Sequence, residues 1–247
     1  MALIHTFESS GNTLFRYRGQ IPLLLFAASV PVIWLTDITC ITEDMYWVLL
    51  AVCGFVSFLG FIIRAIAIGT TPKNTSGRNT KEQVADTVNQ TGIYSTVRHP
   101  LYLGNYFMWI GIVGFTFNIW FVLVVTLAYW LYYERIMFAE ERFLEKKFGE
   151  VYISWSMKVP AFIPSFKNYK KSVVPFSMKS VLRREYSGIL ATVFGFLFVA
   201  LCRDYFMMET FEFNMNYAWI LGGTLVFTFI LRSLKKYTSV LNEEGRW

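Results

Sequence analysis

Residues 46–68 are twenty-three in a row with a single charged side chain, Arg64. A helix crossing a bilayer needs about 20 mostly apolar residues. Lipid cannot pair backbone N–H and C=O groups, so a run of this kind must satisfy them internally, as a helix. Five further apolar segments follow the same logic: 21–35, 101–117, 119–133, 188–201 and 217–231. Composition agrees. The chain is 55% hydrophobic and 16% charged, against about 45–50% and about 25% for soluble domains. The expectation is an all-α fold, a polytopic membrane helix bundle of about six transmembrane helices. Segments short of 20 residues must lengthen at their edges, tilt, or be shielded by protein. Segment 21–35 does not read as a signal peptide, because it lacks a small-residue cleavage site and Asp37 follows directly.

Charge placement orients the bundle. If the N-terminus is cytoplasmic, the cytoplasmic pieces are 1–20, 69–100, 134–186 and 232–247. They hold 21 of the 23 Lys and Arg residues, Arg78 and Lys81 among them, and Arg64 near the same end makes 22. The outer loops hold Arg203 alone among cations, with Asp37, Glu43, Asp44, Asp204, Glu209 and Glu212. Positive residues gather on the cytoplasmic side of membrane proteins, so N-in/C-in is expected. The formal charge of +6 is then chiefly a topology signal. No basic patch interleaves with a nucleic-acid motif, so no nucleic acid partner is expected. Cys40, Cys53 and Cys202 lie far apart with no CxxC or Cys/His spacing; they read as small buried hydrophobes, with no metal site.

The chain divides into three parts. Residues 1–68 form an N-terminal membrane hairpin. Residues 69–164 form a core built on a second hairpin, whose turn near Thr116 and Asn118 is only a few residues long. Residues 165–247 hold a basic linker and a C-terminal hairpin. The loop beginning "GTTPKNTSGRNTKEQ" enters the core from one side. The stretch "YYERIMFAEERFLEKKFGEVY" leaves it on the other as a helix continuing out of the membrane, with Gly149 a plausible stop. Two cytoplasmic segments thus meet at one hairpin.

The polar residues there are unusual. Pro100 suits the first turn of a helix, which puts His99 at its N-cap. Tyr102, Asn105, Tyr106 and Trp109 then form one polar-aromatic stripe. A helix N-terminus beside Arg98 favours an anion; alternatively Arg98 and His99 merely anchor the chain at the headgroups. Further on, Met137, Glu140, Glu141, Leu144, Phe148 and Val151 share a helical face. Two glutamates on an apolar face call for a cationic partner or a water-filled pocket, with Arg98, Arg135 or a cationic ligand as candidates. Alternatively they are solvated residues of an interfacial helix. Glu134 and Arg135 stand where the fourth segment leaves the membrane, a position that marks functional residues unless they snorkel.

These blocks carry a resemblance. "RHPLYLGN" from Arg98, then "EERFLEKKFGEVYISW" from Glu140, then "VPAFIP" from Val159, in that order around a short hairpin, resemble the isoprenylcysteine carboxyl methyltransferase and phospholipid methyltransferase superfamily. The upstream "TGIYSTV" resembles the family's lead into the first block. Trp155 departs from the family's usual Tyr. The resemblance covers roughly residues 69–164. It implies an integral membrane methyltransferase with S-adenosyl-L-methionine as cofactor, bound at the cytoplasmic end of the hairpin rather than in a Rossmann domain. By motif, His99, Pro100, Leu101, Tyr102, Gly104, Glu140, Glu141 and Tyr152 would bind the cofactor. Arg98, His99, Glu140 and Glu141 would carry the chemistry, with the glutamate pair meeting the cofactor's amino group.

The acceptor expected is a membrane lipid or a lipidated substrate entering from the bilayer: a lipid phosphate or amine first, a prenylcysteine carboxylate second. Asn105, Tyr106, Trp109 and Arg135 are the substrate-binding candidates, and residues 182–247 would shape a lipid-binding wall. The basic run Lys158, Lys167, Lys170, Lys171, Lys179, Arg183 and Arg184 either holds an anionic headgroup or is an ordinary positive-inside loop. A carboxylate or phosphate acceptor needs no base, whereas an amine or thiol would pass a proton to His99 or a glutamate. Two other classes compete: an NADPH-dependent reductase of the sterol-reductase type, and a non-enzymatic membrane scaffold. The order of the RHP and glutamate blocks favours methyl transfer. The expected location is a multi-pass membrane protein with its active site on the cytoplasmic side, in the inner or plasma membrane or the endoplasmic reticulum.

Overall fold

The computed structural model describes residues 2–73, 75, 83–208 and 215–246. Arg78, Lys81, Glu209 and Glu212, used above to orient the bundle, lie outside the described residues, as do residues 74 and 76–82 of the loop after Gly69. The described residues form eight α-helices and one short 3-10 turn: α1 (Leu3–Tyr17), α2 (Ile21–Leu35), α3 (Glu43–Gly69), the turn Gly92–Ser95, α4 (Pro100–Gly114), α5 (Ile119–Phe148), α6 (Glu150–Ser156), α7 (Met178–Met208) and α8 (Met215–Tyr237). The protein is an all-α membrane bundle.

Local chemistry sets the helix ends. The Thr42 hydroxyl accepts from the Met45 N–H at 3.3 Å, and Glu43 and Asp44 sit in the first turn of α3, where negative charge is favoured. Asn118 caps α5 in the same way, accepting from the Phe121 N–H at 2.9 Å. Gly149, at φ +52°, ends α5 and permits the sharp turn into α6. That break leaves Val151 exposed on α6, off the face it was expected to share with Met137 and Glu140.

Four helices, α3, α5, α7 and α8, are long and apolar enough to cross a membrane. A fifth crossing arises if α1 and α2, bent by 77° at their junction, count as one broken span. Segment 101–117 is the expectation that the structure shortens. It becomes α4, 15 residues and so about 22 Å, because Pro100 opens it and Phe117, at φ +59°, turns the chain into α5. In the opposite sense, α7 runs past residue 201. Arg203, expected in an outer loop, is therefore a buried helical residue. Its guanidinium lies 4.4 Å from the ring centre of Phe115 and 4.2 Å from that of Phe117, and it donates to the Phe115 carbonyl. It thus caps the carbonyl end of α4 and packs the short turn.

The tightest seam joins α3 to α4 through glycines. A Cβ on Gly60 would stand 2.5 Å from the Gly104 carbonyl oxygen, and one on Gly111 would stand 2.5 Å from the Cys53 carbonyl oxygen. Small residues let membrane helices approach this closely. The Ser57 hydroxyl crosses the seam to the Met108 carbonyl at 2.8 Å. Helix α1 lies along the late part of α5, where Phe7 meets Phe138 edge-on and the Tyr132 hydroxyl donates to the Leu14 carbonyl at 2.7 Å. At the same end of the bundle the C-terminal residues fold back. Arg246 is buried and donates to the carbonyls of Gly69 at 2.9 Å, Thr71 at 3.2 Å and Pro175. It ties the end of α3 to the chain entering α7.

Gly60→Leu is expected to push α3 from α4 and destabilise the protein by about 1–3 kcal/mol. Denaturant unfolding in detergent checks this, and an unchanged midpoint would mean that the seam is looser than described.

Candidate functional site

Arg98 and His99 stand in a short irregular stretch just before α4. A second irregular stretch is hydrogen-bonded to it. The Arg98 N–H donates to the Pro160 carbonyl at 2.9 Å, the His99 N–H to Ala161 at 3.2 Å, and the Ser165 N–H to Thr96 at 2.9 Å. The Val-Pro segment is therefore the backbone partner of the RHP segment, which explains why two blocks so distant in sequence belong together.

Arg98 fastens the arrangement to α5. Its Nε and Nη2 grip the two oxygens of Glu141 at 2.8 and 3.1 Å, and its Nη1 donates to the carbonyls of Ser156 at 2.6 Å and Val159 at 2.8 Å. These bonds commit four of its five N–H groups. His99 Nε2 lies 2.9 Å from the same Glu141 Oε1. That ionised oxygen only accepts, so Nε2 carries the proton and Nδ1 faces Glu140 Oε2 at 3.6 Å. The imidazole is 7% exposed and lies flat against Tyr102, with ring centres 5.6 Å apart.

The two glutamates therefore differ. Glu141 spends its acceptors inside the protein. Glu140 Oε2 is buried with no hydrogen-bond partner among the described residues. Glu140 lines a cavity of about 520 Å³, within the range of about 300–1,000 Å³ typical of small-molecule and cofactor sites. The Tyr152 hydroxyl and the Trp155 indole N–H are also buried without partners, and both residues line the same cavity. Burial, and then the Glu141 carboxylate, push the Tyr152 phenol well above its ordinary pKa, so it stays a proton donor. A carboxylate with two unsatisfied donors nearby suits a ligand carrying both a cation and oxygen acceptors. The α-amino acid end of S-adenosylmethionine has this pattern.

The structure sorts the sequence-predicted residues. Arg98, His99, Pro100, Leu101 and Tyr102 line the cavity at the start of α4, with Asn105 and Trp109 one and two turns on. Glu140 and Tyr152 line it from α5 and α6. Four predicted residues do not line it. Glu141 is held behind His99. Gly104 belongs to the seam, where its Cβ would stand 2.5 Å from Arg64 Cγ. Tyr106 faces Tyr129 and Phe162, with its hydroxyl on Thr126 at 3.1 Å. Arg135 is not the partner of the glutamates; its guanidinium lies over the Phe7 ring at 3.3 Å.

Sequence reasoning missed a second charged group. Arg64 of α3 donates from Nε and Nη2 to Glu185 of α7 at 2.8 and 2.6 Å, and from Nη1 to the Asn105 Oδ1 of α4 at 2.6 Å. The Glu185 side chain is 1% exposed. The available signal was a lone arginine in an apolar run and a lone acid closing a basic run, two charges that low-dielectric surroundings would force together. Arg184, Ser187 and Thr192 of α7 also line the cavity, as do Phe15 and Arg18 at the end of α1. Of the basic run, only Arg184 lines it. No group of three or more His, Cys, Asp or Glu able to hold a metal occurs among the described residues.

Comparison with known proteins agrees with this geometry. Residues 45–151 match the family described as phospholipid methyltransferase. The chain is 30% identical over 130 residues to a protein-S-isoprenylcysteine O-methyltransferase of Tribolium castaneum, covering 52% of this chain and 46% of that protein. It is 32% identical over 124 residues to the Xenopus laevis protein of the same name, covering 49% and 43%. It is also 32% identical over 95 residues to the nickel-cobalt-cadmium resistance protein NccN of Alcaligenes xylosoxydans xylosoxydans, covering 38% and 42%. The chain spans under half the length of each of these relatives. No solved structure matches it. Residues 45–151, which take in most of α3 and all of α4 and α5, are thus similar to the phospholipid methyltransferases, and about half of the chain is similar to the isoprenylcysteine methyltransferases.

Glu141→Gln should destabilise the protein by about 2–3 kcal/mol, because Arg98 then loses its counter-charge. Glu140→Gln should change stability by less than about 0.5 kcal/mol. Unfolding midpoints of the two variants check the division; equal losses would mean that the glutamates share one role.

Proposed function

We propose that this protein is an integral membrane methyltransferase that uses S-adenosyl-L-methionine and acts on a lipid or lipidated acceptor. The observation that carries the reading is Glu140, whose Oε2 is buried without a hydrogen-bond partner among the described residues and which lines a cavity beside two unsatisfied donors. Glu140 holds the cofactor's ammonium, while the Tyr152 hydroxyl and Trp155 N–H meet its carboxylate or hydroxyl oxygens. Tyr102, beside His99, offers an aromatic surface to the adenine or the sulfonium. When bound, the cofactor supplies an electrophilic methyl group, so the protein needs no covalent nucleophile. The task of the residues is alignment, which contributes roughly 7–11 kcal/mol in well-oriented reactions. Arg98 and Glu141 do this indirectly, fixing His99 and the 159–161 backbone. A carboxylate or phosphate acceptor needs no base; an amine or thiol would pass its proton to His99 Nδ1 or Glu140.

The acceptor reaches the site from the side of the bilayer. Trp109, Met108 and Ile112 of α4 face Ala191 and Thr192 of α7 along the cavity, a mostly apolar wall suited to a hydrocarbon chain. The names of the Tribolium and Xenopus relatives point to a prenylcysteine carboxylate, and that of the matched family to a phospholipid. We place six crossings in the membrane, both termini in the cytoplasm and the cavity at the cytoplasmic end. The distribution of Lys and Arg supports this. His99, Glu140 and the Arg246 clasp share that end of the bundle, while Arg203 and the α4–α5 turn mark the other.

Purified protein is expected to bind S-adenosylhomocysteine by calorimetry, and Glu140→Gln to weaken that binding at least about tenfold, the loss of one charge-assisted hydrogen bond. Unchanged affinity in the variant would remove Glu140 from the site, and binding of NADPH in place of S-adenosylhomocysteine would move the protein to the reductases.

A further inference from the structure

The cavity has a second polar feature that the cofactor reading leaves unused. Asn105 sits one turn into α4, lining the cavity, with its Oδ1 receiving the Arg64 Nη1 proton at 2.6 Å. Arginine has only donors to offer. The atom it meets must therefore be the amide oxygen, which turns the Asn105 amide nitrogen away from Arg64. The Tyr133 hydroxyl is one neighbour of that amide, and a single phenol oxygen takes one of its two N–H protons. Arg64 is itself immobilised. Its other two nitrogens grip both oxygens of Glu185, which is buried on α7. The Gly60 and Gly104 seam brings α3 close enough for this, with the Arg64 stem packed on Gly104. Three helices thus converge on one amide.

We propose that Arg64 and Glu185 are positioning residues that fix Asn105 with its amide nitrogen toward the cavity, where it donates a hydrogen bond to an oxygen of the methyl acceptor. Three observations support the assignment. The pair is expensive to bury, and a well-packed apolar pair would hold α3 and α7 together at least as well. Its geometry controls a polar side chain that faces the cavity. Beyond Asn105 on the same face of α4, Met108, Trp109 and Ile112 give the apolar wall, opposite Ala191 and Thr192. An acceptor with a polar head and a hydrocarbon chain would thus meet its one oriented donor at the head of that groove. Glu185 and the α7 side of the groove lie outside residues 45–151, the stretch shared with the matched family. Acceptor selection is therefore assigned partly to a helix outside the matched stretch. The inference rests on the methyltransferase reading above.

The test uses the full chain in lipid nanodiscs, with labelled S-adenosylmethionine and two probe acceptors: N-acetyl-S-farnesylcysteine, a carboxylate, and phosphatidylethanolamine, an amine beside a phosphate. Two variants are compared. Arg64→Met with Glu185→Met removes the whole pair and leaves no orphaned charge. Asn105→Asp keeps the contact with Arg64 and deletes the donor. Both are expected to bind S-adenosylhomocysteine within about twofold of the unaltered protein, which shows that the fold and the cofactor end survive. Both should raise the acceptor KM by about five- to tenfold, the loss of one hydrogen bond, with a smaller change in kcat. An unchanged acceptor KM in Asn105→Asp would overturn the role of Asn105, and an unchanged KM in the double variant would leave the pair a packing device. Absence of transfer to either probe by the unaltered protein would overturn the acceptor assignment while S-adenosylhomocysteine binding still stood. Absence of that binding would sink the methyltransferase reading itself.

Discussion

The structure turns on the grip of Arg98 on Glu141. A carboxylate on the α5 extension and a guanidinium before α4 meet through two hydrogen bonds, and the same guanidinium holds two carbonyls of the segment after α6. One side chain thereby closes α5, α6, the Val-Pro stretch and the start of α4 into a single unit. Without it, the His99 imidazole would lose the support of the carboxylate that sets its tautomer. Bidentate pairing gives direction as well as energy, and direction is what a site of unattached side chains needs.

A second ion pair performs the same service further along the cavity. Arg64 and Glu185 join α3 to α7, and with Asn105 they bind the C-terminal hairpin to the core. The cavity is consequently composite. Its Glu140 end comes largely from the segment that matches the methyltransferase family, and one long wall comes from α7. Residues of α1, α3, α4, α5, α6 and α7 therefore line one cavity, and α7 contributes side chains to it.

Much of this was legible in the chain. Apolar runs and the charge pattern gave an all-α membrane bundle; Pro100 and Gly149 marked real helix ends, and the turn near Asn118 is where α5 begins; the RHP and glutamate blocks meet beside one cavity. Other features were invisible for physical reasons. Helical spacing puts Glu140 and Glu141 on one face, but only three-dimensional contact shows which is spent on Arg98 and which keeps an unpaired oxygen beside the cavity. Gly104 reads as part of a binding motif, yet its missing side chain makes room for Arg64. Tyr106 and Arg135 looked equally suited to a substrate; a hydroxyl on a neighbouring helix and the ring of Phe7 claimed them. Arg64 and Glu185 are 121 positions apart, a distance over which periodicity says nothing.

The shortness of α4 has a consequence for the surrounding lipid. At about 22 Å it falls well below the roughly 30 Å of a typical hydrocarbon core. If α4 crosses the bilayer as proposed, either the leaflets pinch inward around it, or its His99 end stops beneath the headgroup plane. Both outcomes would set the mouth of the cavity in a dimple of the bilayer, wetted from above and walled by acyl chains at the sides. A water-soluble cofactor and an oily acceptor could then meet without either leaving its own phase, and the thickness of the host membrane would itself tune how readily they do.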